Sequence, residues 1–208
     1  MQRIRLVYSK GDELKFTGNL DMMKVWERTF RRAGLKIAYS QGFHPQPKIH
    51  QALPLPLGFT SQNDLLDFWL DSDENLGEIS KKLERALQPG ITVQEYQVVP
   101  AALKPLQTLV TSAEYLVRME TESIHADLTE RIEKLLRQNE CLRERRGKQY
   151  DLRPLIESLQ IDKDDTSSLL MTLAARPGAT GRPEEVLDAL GIAMQDIEIM
   201  RSGMILSE

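Results

Sequence analysis

Cys141 is the single cysteine in these 208 residues. One thiol excludes an internal disulfide, and it excludes a zinc site or iron–sulfur cluster built on several thiolates of this chain. No histidine lies near Cys141 in the sequence, so it does not read as a paired nucleophile. Histidine is also scarce, with His44, His50 and His125 only. His44 and His50 lack a clear third ligand, and neither a metal nor any other cofactor is expected. Long apolar runs are missing too: none approaches the ~20 residues that span a bilayer. Met1-Gln2-Arg3-Ile4-Arg5 alternates charge with apolar residues where a signal peptide carries a continuous apolar core. The expectation is a cytoplasmic protein with no membrane partner. Pro177-Gly178-Ala179-Thr180-Gly181-Arg182-Pro183 lacks the Lys-Ser/Thr of a P-loop and the glycine spacing of a dinucleotide site, so it is not expected to cradle phosphate.

What is present is an ordinary globular composition, 41% apolar and 28% charged, long enough for one large domain or two of about 100 residues. The net charge of −4 argues against indiscriminate nucleic-acid binding and leaves room for a local basic patch. Residues Arg3 to Ser9 alternate in the strand period, with Ile4, Leu6 and Tyr8 on one face and Arg3, Arg5 and Val7 on the other. A helix is expected from Asn19 as N-cap, burying Met22, Met23, Trp26, Phe30 and Ala33 and stopping at Gly34. Leu65 to Asp71 alternates as a half-exposed strand. Asn75 and Glu78 open a second helix on Leu76, Ile79, Leu83 and Leu87, and Ile91 to Val99 is a strand.

That order is strand, helix, strand, strand, helix, strand, which is the split βαβ or ferredoxin-like unit. The second half repeats it. Tyr115 to Glu120 is a strand, followed by a helix on Leu128, Ile132, Leu135 and Leu136. Leu142 to Arg145 and Lys148 to Leu152 form two short strands around Arg146-Gly147. An extra short helix is expected from Asp151 through Leu159. Ser168 to Ala175 is a strand, Pro183 to Leu190 a helix, and Ile197 to Ile205 a final strand interrupted or turned at Ser202-Gly203. The expected fold is α+β, with two ferredoxin-like (βαββαβ) units in tandem, residues 1–104 and 105–208. One continuous antiparallel α+β domain is the alternative.

The stretch from Tyr39 to Gly58 is what fold-building does not explain. Four prolines, two glycines and two histidines are interleaved there with apolar residues, too irregular for a helix and too proline-rich for a central strand. Pro45 and Pro47 stiffen its first half, and Gly42 permits backbone angles closed to other residues. Tyr39, Ser40, Gln41, Gly42, Phe43, His44, Gln46 and Lys48 are candidates to bind a phosphate, a base edge or a peptide. His44 is the candidate for a catalytic acid or base. Lys24, Arg28 and Arg31 form a basic stripe on the first helix that leads into this loop. A second basic cluster, Arg143, Arg145, Arg146 and Lys148 with Arg153 beyond and Tyr150 among them, suits a nucleic-acid backbone or an acidic protein face, or is a plain solvated hairpin.

Asn19-Leu20-Asp21-Met22-Met23, Arg31-Arg32-Ala33-Gly34-Leu35, Ala38 to Lys48 and Leu53-Pro54-Leu55-Pro56-Leu57-Gly58, with Asp151-Leu152-Arg153-Pro154 later, resemble the radical SAM-linked protein family. This is a bacterial domain of uncharacterised function encoded beside, or fused to, radical SAM proteins. Where its members usually read Ser-His-Leu-Asp, this chain has Gly18-Asn19-Leu20-Asp21. The resemblance implies a radical SAM protein as partner. It implies no catalytic residues, because the family has none established. The resulting expectation is an accessory protein that binds or presents an RNA or protein substrate. An RNA-processing or RNA-modifying enzyme using His44, with Lys48 stabilising charge, and a pure protein-docking module are the alternatives.

Overall fold

The alternation of Ile4, Leu6 and Tyr8 against Arg3, Arg5 and Val7 forms strand β1 (Gln2–Lys10), which buries its apolar set beneath the first helix. The computed structural model describes residues 1–119, 127–195 and 197–207. The chain divides into two compact units, Met1–Leu109 and Val110–Ser207.

In the first unit β1 is followed by α1 (Asn19–Arg32), β2 (Ile49–Gln51), β3 (Phe59–Leu70), α2 (Leu76–Glu84), β4 (Ile91–Val99) and the short α3 (Leu106–Leu109). All the strand pairs are antiparallel, and the order across the sheet is β4-β1-β3-β2. This is the ferredoxin-like order, in which the first and third strands of the motif lie at the centre. Met22, Trp26 and Phe30 of α1 and Ile79 and Leu83 of α2 pack with Ile4, Leu6, Tyr8, Leu66, Phe68 and Leu70 of the sheet. An aromatic chain runs through that core. Tyr8 meets Trp26 edge-on at 4.9 Å, Trp26 stacks on Phe30 at 5.6 Å, and Phe30 stacks on Phe68 at 4.5 Å.

The helix ends follow local chemistry. Asn75 caps α2 by accepting from the Gly77 amide at 2.9 Å. The Glu78 carboxylate pairs with Lys81. Helix α1 differs from the expectation: Gly18, in an extended conformation, occupies the N-cap, and Asn19 is already helical. Residues 105–109 pack with the first unit, because Leu106 and Leu109 are buried and α3 lies against β2.

The second unit contains β5 (Val110–Met119), α4 (Leu128–Arg137), the hairpin β6 (Leu142–Arg145) and β7 (Lys148–Asp151), then β8 (Ile156–Ile161), β9 (Ser168–Arg176), β10 (Ala179–Thr180), α5 (Pro183–Ala189) and β11 (Ile197–Leu206). Its main sheet runs β11-β5-β9-β8, again antiparallel and again in the ferredoxin-like order, and β10 adds a short pairing to β9. The hairpin β6-β7 stands apart as its own two-stranded sheet. The second strand of the motif is therefore β8, in the segment where the Asp151 cap and Pro154 predict a helix. Only a single 3₁₀ turn, Arg153–Leu155, precedes it. A bulge between Ile156 and Ser158 inserts an extra residue against β9, so Ile156 and Leu159 share the helical spacing of three although both are buried on a strand. Of the two expectations for β11 at Ser202-Gly203, interruption or turn, the structure shows the first: a bulge there pairs Arg201 with Tyr115 and Gly203 with Glu114, and the strand runs on. The expected end of β5 at Glu120 lies outside the described residues, as does His125.

Candidate functional site

The proline-rich loop is built as a hydrogen-bonded finger. The Ala38 amide donates to Trp69 O and the Trp69 amide to Lys48 O, so both ends of the loop are sewn to β3. Above that, the Lys48 amide donates to Ala38 O and the Ser40 amide to Gln46 O, each at 2.8 Å, and Tyr39 bridges Pro47. The Ser40 hydroxyl accepts from the Gln46 amide at 2.9 Å. Ser40 is thus a closure residue, holding the two sides of the finger together. Gly42 has φ +130 at the tip, a left-handed conformation that favours glycine.

Because the backbone bonds are satisfied inside the finger, its tip side chains remain outside. Gln41, His44 and Gln46 are exposed. Phe43 is fully exposed (102%) and Tyr39, at the base, is 48% exposed. Lys48 reaches Met1 Sδ at 3.7 Å. His44 has no hydrogen-bond or ionic partner among the described residues. Nothing there aims it at a reacting atom or sets it beside a second acid or base. No three His, Cys, Asp or Glu side chains converge among the described residues, and no helix among them is long and apolar enough to cross a membrane.

The basic stripe meets the base of the finger. A cleft of about 350 Å³ is lined by Glu27 and Arg31 of α1, by Lys36 and Ile37 in the segment after it, and by Tyr39 and Pro47 of the finger. Arg28 and Arg31 are exposed, whereas Lys24 pairs with Asp21 at 3.1 Å. Tyr39 and Arg31 are therefore brought to one hollow, with Phe43 further out on the same loop.

The basic hairpin of the second unit is mostly engaged within its own unit. Arg145 forks onto the Glu185 carboxylate, donates to Thr180 O and stacks its guanidinium 4.7 Å from the Tyr150 ring centre. Burial would raise the Glu185 carboxyl, but bonds from Arg145 and Tyr150 outweigh it and hold the group below the usual carboxylate range. Burial, with the Glu185 carboxylate beside it, pushes the Tyr150 phenol up to about 12. Arg143 faces Asp188 at 3.3 Å. Arg153 donates twice to Leu136 O, near the end of α4, and once to Ile156 O. Asp151 accepts from the Cys141 and Arg153 amides. The Asp-Leu-Arg-Pro motif thus ties helix, hairpin and β8 together. Arg146 and Lys148, at the turn with Arg146 at φ 52, are the exposed cations of the cluster.

Arg145→Gln is expected to lower the melting temperature at neutral pH, and the difference from wild type should narrow in acid. The depressed carboxyl of Glu185 contributes stability above its unfolded range near 4.5, and loses that contribution as pH falls through its lower folded value. A pH series of thermal melts checks this. A difference that stays constant into strong acid contradicts the pairing.

Sequence spacing does not reveal the cluster on the far face of the first sheet. Asp67 of β3 is completely buried and receives Arg3 Nε at 2.9 Å, Arg5 Nε at 2.8 Å and Arg5 Nη2 at 3.0 Å. Arg3 also donates to Leu103 O and Lys104 O, and its guanidinium lies 5.0 Å from the Trp69 ring centre. His50 packs edge-on against Trp69 at 4.9 Å. Its pKa is lowered chiefly by burial, with Arg3 and Lys48 adding to the effect and Asp67 opposing it. The visible signal is the alternation that puts Arg3 and Arg5 on one face of β1 and Asp67 and Trp69 on one face of β3. Which strands become neighbours is not visible.

Comparison with known proteins adds a family and little else. The family model described as "Uncharacterized protein conserved in bacteria (DUF2344)" matches residues 3–183. No protein of curated function matches. Among solved structures, a chain of a Cbf5-Nop10-Gar1 complex aligns with 98% of this chain at 9% identity and a TM-score of 0.47. This chain spans 48% of that one's length. The small subunit of acetolactate synthase from Thermotoga maritima aligns with 99% of this chain and 96% of its own, at 13% identity and a TM-score of 0.28. At these scores neither likeness bears on the site.

Proposed function

We propose, for this chain, which belongs to the bacterial DUF2344 family, that its first unit binds single-stranded RNA through the 39–48 finger and the cleft at its base. The observation that carries this reading is Phe43, fully exposed at the tip of a loop whose own backbone is closed by hydrogen bonds. A large apolar ring held in water by a stiff loop gains nothing for the fold. It presents a π-face to a base, and base–aromatic stacking of this kind is sequence-tolerant. Gln41 and Gln46 offer amide donors and acceptors to base edges and 2′-hydroxyls. Tyr39 supplies a second ring, and Arg31 and Lys36 beside it supply charge for the backbone. His44 extends the polar tip without a catalytic role. The protein then serves as an accessory that holds RNA for a radical SAM enzyme, a partnership supported by the sequence resemblance at Ala38 to Lys48 and Leu53 to Gly58.

Phe43→Ala tests the reading with little risk to folding, since the ring is wholly in solvent. Titration of a fluorescently labelled single-stranded RNA of about 12 nucleotides should show a roughly 5- to 150-fold weaker Kd, corresponding to ~1 to 3 kcal/mol for one stacked base. Equal affinity of the variant and wild type removes the finger from the site. Recovery of a radical SAM protein from native cells with no enriched RNA would turn the reading to protein docking.

A further inference from the structure

We infer that the bound strand does not end in the cleft beside Tyr39 but crosses the C-terminal turn of α1 to a second basic hollow between the ends of α1 and α2, so that the ligand is an extended chain and not a single nucleotide. This rests on the RNA-binding reading and deepens it. The second hollow, of about 260 Å³, is lined by Arg32 and Ala33 of the α1 end and by Lys82, Arg85 and Ala86 of the α2 end. Arg31 and Arg32 are consecutive, and each enters a different hollow. Successive helical residues point about 100° apart, so the last turn of α1 is a ridge with a cation on either side.

The second hollow is not simply a solvated face. Arg32 donates through Nη2 to Ala86 O at 2.7 Å and to Thr29 Oγ1 at 3.3 Å, which fixes the guanidinium while Nε and Nη1 have no protein partner among the described residues. The Ala86 carbonyl just beyond α2 is thereby satisfied, and Arg85 is left exposed with no ionic partner among the described residues. Lys82 pairs with Glu74 at 2.7 Å, which reduces its charge in the hollow without removing its remaining ammonium hydrogens. Glu84 is the other acid nearby in sequence, and Glu27, one turn before Arg31 on α1, lines the first hollow with it. An arginine held by one nitrogen and open at the others suits a phosphate oxygen, and two such hollows on one ridge suit a repeating anion. A folded net charge of −4 makes this concentration of cations a local property of the first unit's helix side.

The test uses the full chain and two synthetic RNAs, a dinucleotide and an unstructured 12-mer, with Lys82→Gln/Arg85→Gln beside Phe43→Ala. Arg32 is left intact because it holds the two helix ends together, and a thermal melt confirms that each variant is folded. The expected result is a double variant with unchanged dinucleotide affinity but at least tenfold weaker 12-mer affinity at low salt. The slope of log K against log salt for the 12-mer should become shallower by about 1.4, at ~0.7 for each phosphate of a single strand that is no longer neutralised. Phe43→Ala weakens both RNAs. If the double variant binds the 12-mer as wild type does, with the same salt slope, the path over α1 is wrong while the finger site stands. If wild type binds neither RNA, both readings fall together.

Discussion

Replacing Asp67 by alanine lowers the stability of the protein by about 3 to 5 kcal/mol, the range for breaking a buried ion pair by removing one partner. The carboxylate is wholly buried and takes donors from Arg3 and Arg5, and Arg3 is itself almost completely buried. Removing the anion leaves a guanidinium in the low-dielectric interior with the carbonyls of Leu103 and Lys104 and the Trp69 ring beside it but no full counter-charge. Arg5 is less enclosed and can regain water, so the cost concentrates on Arg3. The coupled prediction separates the pair from the packing. Arg3→Met/Asp67→Leu, which removes both charges and keeps volume, should be closer to wild type than Asp67→Ala alone. Urea unfolding of the three proteins measures it. A single variant within about 1 kcal/mol of wild type would show that Asp67 is not the counter-charge that holds this face.

Trp26→Ala should cost a similar ~3 to 5 kcal/mol by a different mechanism, namely the loss of a large buried ring and the cavity left behind. Trp26 is fully buried between Tyr8 and Phe30, at the centre of the aromatic chain that joins β1, α1 and β3. Its Nε1 has no hydrogen-bond partner among the described residues, so no polar interaction is lost with the ring. Trp26→Phe should therefore recover much of the loss, because what matters is volume. Urea midpoints decide this, and a near-neutral alanine variant would mean that α1 is not docked through this face. Both substitutions lie in the first unit and outside the proposed RNA contacts, so at temperatures where the variants remain folded their RNA affinity should be unaffected.

The candidate site is legible in the sequence to different depths. The loop announces itself by composition, since prolines, glycines and histidines in that density serve no regular element. Its construction does not. Ser40 reads as a free donor in the sequence and is instead the hydroxyl that closes the finger. Phe43 reads equally well as core or contact, and only the closed backbone beneath it leaves the ring outside. In the second unit Arg145 and Arg153 look like members of one basic surface, yet Glu185, Thr180, Leu136 and Ile156, up to 40 residues away, take their donors. Long-range partners of this kind leave no trace in local spacing. Arg32 and Arg85 escape notice for the opposite reason. They are unexceptional on their own helices and gain meaning only where two helix ends meet.

From the sequence alone follow the elements whose burial is periodic: β1, α1, α2 and α5, and with them the repeated strand, helix, strand, strand, helix, strand order. A single hydrophobic face is a local property, readable wherever the period is unbroken. Only the tertiary structure decided that β8 is a strand, because the Asp151 and Pro154 start signals are used up in one 3₁₀ turn and pairing with β9 takes over from Ile156. It also decided which cations face solvent and which are neutralised. That outcome depends on strand adjacency and helix docking, which bring Arg3 to Asp67, Arg145 to Glu185 and Arg31 to Tyr39 across the intervening chain.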